Sequence, residues 1–167
     1  MIRRSGIELL VALLVVSLGG CLYGFAGGGL PSNIHTVAVL PFDNETSASG
    51  LGRELHDRMR REIEGRLGLK EAAEGNADAL VRGRIVSYDP DIPAAYSADQ
   101  QVVTTARRRL RIAIDVEIVD QANGRVLWSR KGLTAEGEYG ESSEDEGREQ
   151  AIEKLVSDIV AGAQSQW

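Results

Sequence analysis

The chain has 167 residues with a formal net charge of −6, and 5% of its residues are aromatic. That length suits one domain beside any targeting segment, and the acidity argues against sequence-independent nucleic-acid binding. The scarcity of aromatics argues against broad stacking platforms for sugars or single strands, and the single cysteine, Cys21, excludes an internal disulfide and a cysteine-built metal site.

Met1-Ile2-Arg3-Arg4 is a short basic opening, followed by an apolar stretch from Ile7 to Leu18 broken only by Glu8. Roughly a dozen residues is too short for a spanning helix, which needs about 20, and fits the apolar region of a secretory signal. Leu18-Gly19-Gly20-Cys21 then places small residues before the lone cysteine, the arrangement of a bacterial lipobox. Residues 1–20 are therefore predicted to be a lipoprotein signal peptide, with Cys21 the acylated first residue of the mature chain. Leu22 in place of an aspartate favours transfer to the outer membrane. Residues 21–35, with Gly27-Gly28-Gly29 and Pro31, read as a lipidated start and flexible tether. Residues 36–167 read as a single domain.

Thr36 to Phe42 is a β-branched, apolar run and predicts the first strand, with Pro41 suited only to its end. A polar loop follows. Leu51, Leu55, Met59, Ile63 and Leu67 recur every four residues among charged neighbours, which predicts an amphipathic helix ended by Gly68. Ala77 to Tyr88 alternates as a second strand, with Val81, Gly83 and Ile85 on one face and Arg82, Arg84 and Val86 on the other. The two prolines and polar residues of 89–101 predict a long loop. Arg109 to Asp120 alternates most clearly, Leu110, Ile112, Ile114, Val116 and Ile118 against Arg109, Arg111, Ala113, Asp115 and Glu117. Asn123-Gly124 marks a hairpin turn. Arg125 to about Glu136 is the fourth strand, with Val126 and Trp128 on its apolar face. Ser143-x-x-Glu146 is a capping-box pattern, opening a helix whose apolar face comprises Ile152, Leu155, Val156, Ile159, Val160 and Ala163.

The order β-α-β-β-β-α implies a right-handed crossover with a parallel strand pair, then antiparallel hairpins. The expected fold is a two-layer α/β sandwich: about four strands in a mixed sheet, two helices on one face, and the other face open.

No nucleophile–base set is visible. His35 and His56 read as ordinary surface or boundary residues, and Glu144-Asp145-Glu146 reads as a favourable charge at a helix start. One pattern stands out. The open face gathers Arg82, Arg84, Arg109 and Arg111, with Arg107 and Arg108 just before them and Lys131 added if the fourth strand keeps its alternation. Arginine forks bind phosphates and carboxylates bidentately. Either Asp115, Glu117 and loop acids neutralise this face, or it receives an anion.

Cys21-x-Tyr23-x-Phe25, then Leu30-Pro31-Ser32-x-Ile34 before Thr36-Val37-Ala38-Val39, resembles the lipopolysaccharide-assembly lipoproteins of the LptE family. The strand at Leu80 to Tyr88, the strand through Asp115-Val116-Glu117 and the closing helix fall in matching order. The resemblance implies a non-enzymatic outer-membrane lipoprotein, lipid-anchored on the periplasmic side and needing no cofactor beyond the acyl lipid on Cys21. Such a protein plugs and supports an LptD-type β-barrel that inserts lipopolysaccharide into the outer leaflet. It also implies contact with lipopolysaccharide, which the family makes through basic loops. The corresponding loops here, Ser97 to Gln101 and Tyr139 to Ser142, carry no Lys or Arg, so no contact residue is carried over. Val37-Ala38-Val39-Leu40-Pro41-Phe42-Asp43-Asn44 also resembles the opening strand of other periplasmic lipoproteins, including peptidoglycan-synthase activators, which act as protein-binding modules.

Overall fold

The structure is a computed structural model that describes residues 30–93, 107–140 and 143–165. The expected signal peptide, Cys21, the start of the expected tether and most of the loop expected at 89–101 lie outside the described residues.

Strand β1 (Thr36–Val39) runs into the two-residue β2 (Asp43–Asn44), then helix α1 (Leu51–Leu67). A second two-residue strand, β3 (Lys70–Glu71), and a 3₁₀ turn at Glu74–Asn76 lead into β4 (Ala79–Pro93). The antiparallel strands β5 (Arg108–Asp120) and β6 (Val126–Tyr139) follow, and helix α2 (Glu144–Ser165) closes the chain. The sheet has six strands in the order β3-β1-β4-β5-β6, with β2 paired to β4. The expected parallel crossover is present: Val37 pairs with Ala79 and Val39 with Val81. The expected count of about four strands is corrected to six. The two additions are two residues long, and side-chain alternation over two residues carries no period to read.

Each helix buries one stripe. Leu51, Leu55, Met59 and Ile63 of α1 are at most 1% exposed, and Leu155, Val156, Ile159 and Val160 of α2 are fully buried. They pack on the sheet face formed by Val81, Ile85, Leu110, Ile112, Ile114 and Ile118, so both helices cover one side. Gly68 ends α1 at φ +67°, a left-handed conformation that glycine adopts without strain. Arg148 ties the helices by an ion pair to Glu54 (2.9 Å), and Arg66 reaches Ser157 (3.1 Å).

Three local expectations change. Strand β4 continues to Pro93 instead of ending near Tyr88; Pro90 falls inside the register shift between Asp89 and Ile92, and Pro93 is the last residue, so neither interrupts a regular ladder. Val126 is 48% exposed, whereas Leu127 is buried, because the register shifts between Ile118 and Val119 where β6 begins. Ser143 precedes α2 as expected, but Glu146 N–H donates to its carbonyl rather than to its hydroxyl.

Candidate functional site: the uncovered face of the sheet

The face opposite the helices is built by alternation. In β5 the even-numbered residues from Leu110 to Ile118 are buried against the helices, so Arg109, Arg111, Ala113, Asp115 and Glu117 point away. The register brings Arg82 opposite Glu117 and Arg84 opposite Asp115. On the other side of β5, Arg111 faces Glu136 and Arg109 faces Glu138.

These pairings become ion pairs. Arg82 Nε donates to Glu117 at 2.6 Å. Arg84 reaches Asp115 at 2.9 Å and Glu45, just beyond β2, at 3.1 Å. Glu136 accepts from Arg111 and, at 3.1 Å, from Arg109. Arg107 lies 3.5 Å from Glu138. The Gly132 N–H, and next the Arg84 fork, hold the Asp115 carboxyl below its usual pKa. Arg111, then Arg109, do the same for Glu136.

One of the sequence-predicted cations falls differently. Arg108 follows the even positions to the helix side and pairs with Asp91 (3.2 Å) at the end of the sheet. Lys131 keeps the predicted side, since it lines the same hollow as Asp115 and Ser129, but the alternation breaks immediately afterwards. A bulge between Arg130 and Leu133, with Gly132 at φ +62°, reverses the later residues of β6. Lys131 forms no ion pair among the described residues; its charge acts on Asp115 from a distance.

The face is thus a lattice of alternating charge. It includes a hollow of about 810 Å³ flanked by Leu40 and Pro41 and floored by Arg82, Arg84, Asp115 and Glu117. The acids Glu45, Glu136 and Glu138 complete the lattice, and only the inter-strand register reveals which arginine each one meets. Exposed pairs of this kind contribute about 0–1 kcal/mol each. Glu136 is a different case: it is half-buried and shared by Arg109 and Arg111, and a networked, bidentate pair is worth more than an isolated surface one. No group of three or more His, Cys, Asp or Glu suited to a metal occurs among the described residues. No described helix is long and apolar enough to cross a membrane.

The described residues thus form a two-layer α/β sandwich with two helices on one side of the sheet and a charged face on the other. The model of the LptE family, lipopolysaccharide-assembly, matches residues 34–162, and the chain belongs to that family. Among curated proteins no sequence match is found. Solved structures share the fold. PelC of Paraburkholderia phytofirmans, a dodecamer, superposes with a TM-score of 0.54 at 17% identity over 82% of this chain and 94% of that one. A lipoprotein from Caulobacter crescentus gives 0.51 at 14% identity over 77% and 88%.

Proposed function

We propose that the chain is an outer-membrane lipoprotein, acylated at Cys21, that plugs and supports an LptD-type β-barrel during insertion of lipopolysaccharide. The observation that carries this reading is the family match across 34–162, which spans all six strands, α1 and most of α2. The protein acts by binding, without catalysis and without a cofactor beyond its lipid. Its open face meets the polar lumen of the barrel or the phosphates of lipid A. Two features support that role. The arginine forks of Arg82, Arg84, Arg109 and Arg111 stand on adjacent strands of one sheet, and such forks bind phosphates and carboxylates bidentately. The sequence Gly27-Gly28-Gly29 has the composition of a linker between an acylated Cys21 and the fold.

The test is charge reversal. R109E/R111E should weaken binding to lipopolysaccharide micelles or to the barrel, with an unchanged circular dichroism spectrum. Unaltered binding to both would leave this face a solvated one.

A further inference from the structure

Among the described residues strand β6 is the long edge strand of the sheet, since the opposite edge is the two-residue β3. Half of that edge is already occupied. Lys154 Nζ donates to Glu136 O (2.7 Å) and Gln150 Oε1 accepts from Glu138 N–H (3.3 Å), so α2 supplies the groups a neighbouring strand would supply. These bonds show that Glu136 and Glu138 turn their backbone outward. The unbroken register from Tyr139 to Leu133 turns Thr134 outward too. Beyond the bulge, Ser129 opposite Glu117 is turned the same way. Neither has a backbone partner on that side among the described residues.

Farther along α2 the face that carried Gln150 and Lys154 presents Asp158 and then the small Ala161, Gly162 and Ser165. A groove of about 370 Å³ lies there between helix and strand, lined by Trp128 and Leu133. Glycine at 162 is required, because an added Cβ would lie 2.6 Å from the Trp128 ring. An edge strand beside a helix, with outward backbone groups and a groove of mixed lining between them, is the geometry that accepts an extended peptide as an added strand.

Charge selects the occupant. Arg82, Arg84, Arg108, Arg109 and Arg111 are all paired. Arg130 and Lys131, on opposite faces of this edge, form no ion pair among the described residues, and Asp158 in the groove is not within ion-pairing distance of Arg130. A second copy pairing edge to edge here would set both cations against themselves, which disfavours it. We propose that Ser129–Thr134 of β6 is a docking edge that takes an extended acidic segment of a different polypeptide as a further strand. This edge adjoins the open-face hollow, which Ser129 and Lys131 also line, but its test involves neither lipopolysaccharide nor a barrel.

The probe is a short synthetic peptide of alternating glutamate and valine, added to the full lipidated chain in detergent and followed by fluorescence anisotropy and amide hydrogen exchange. The peptide should bind and slow exchange in the segment holding Ser129 and Thr134. A lysine–valine peptide should bind at least about tenfold more weakly, a difference of ~1.4 kcal/mol. N-methylation of its pairing amides should abolish binding. R130E/K131E, changes at exposed positions, should reverse the preference. Equal binding of the N-methylated peptide, protection confined to β4 and β5, or no binding would overturn the proposal.

Discussion

Gly137 marks where the sheet and α2 come closest. A Cβ added there would lie 1.7 Å from Gly147 O, 2.6 Å from its carbonyl carbon and 2.9 Å from its Cα, all backbone atoms that cannot rotate aside. Carbon–oxygen contacts normally lie at about 3.3 Å or more, so the start of α2 must retreat by roughly 1.5 Å to restore one. Retreat loosens Gly147 from Tyr139 and Leu110, against which it packs. It also stretches the bonds from Lys154 to Glu136 and from Glu138 to Gln150. Overpacking costs about 1–3 kcal/mol, and each weakened hydrogen bond adds up to about 1 kcal/mol. Gly137→Ala is therefore expected to lose about 3 kcal/mol and to melt roughly 10 °C lower. Urea denaturation of wild type, Gly137→Ala and the control Gly140→Ala tests this; an added Cβ at Gly140 meets nothing within 4 Å. A Gly137→Ala midpoint equal to that of the control would refute the close approach of α2 to β6.

Gly65→Ala, in α1 with open space around its Cβ, should stabilise the protein by about 0.5–1 kcal/mol in the same urea assay. The backbone N–H of His35, then the hydroxyl and N–H of Thr36, hold the Asp78 carboxyl below its usual pKa of 3.8. A depressed folded-state pKa gives stability that is present above the unfolded value and lost as pH falls through the folded one. The urea midpoint should accordingly drop below about pH 4, and Asp78→Asn should flatten that slope. Burial and then the bond to Glu144 raise the Tyr88 phenol to about 12. Its contribution is present below pH ~10 and lost as pH rises through that raised value. An ultraviolet titration of Tyr88→Phe against wild type should show one late-titrating phenol removed. Cys21→Ser should leave uncleaved precursor in the inner membrane, read as a larger band in membrane fractions; normal processing would refute the lipobox.

Much of the fold was legible because its signals repeat. Leu51 to Leu67 shows a helical period and Leu110 to Ile118 a strict alternation, and both place their buried faces where the structure has them. The Asn123-Gly124 turn appears with Gly124 at φ +68°, fixed by Asp120, which accepts from Ala122 N–H and Asn123 Nδ2. The strands β2 and β3 were illegible at two residues each. The bulge at Lys131-Gly132 was equally silent, because an irregularity has no period. The candidate site was half visible. Alternation gathered Arg82, Arg84, Arg109 and Arg111 on one face, but the pairing partners depend on inter-strand register, which a single sequence leaves open. Glu136 shows this best: it sits 25 residues from Arg111 and accepts both Nε and Nη2 from it.

The central claim is the partnership with a barrel, and the most direct measurement is gentle detergent purification of the tagged, lipidated protein with mass spectrometry of what accompanies it. One large outer-membrane β-barrel of the LptD type should accompany it at about one-to-one stoichiometry. Recovery of a peptidoglycan synthase in its place, or of no barrel at all, would contradict that claim.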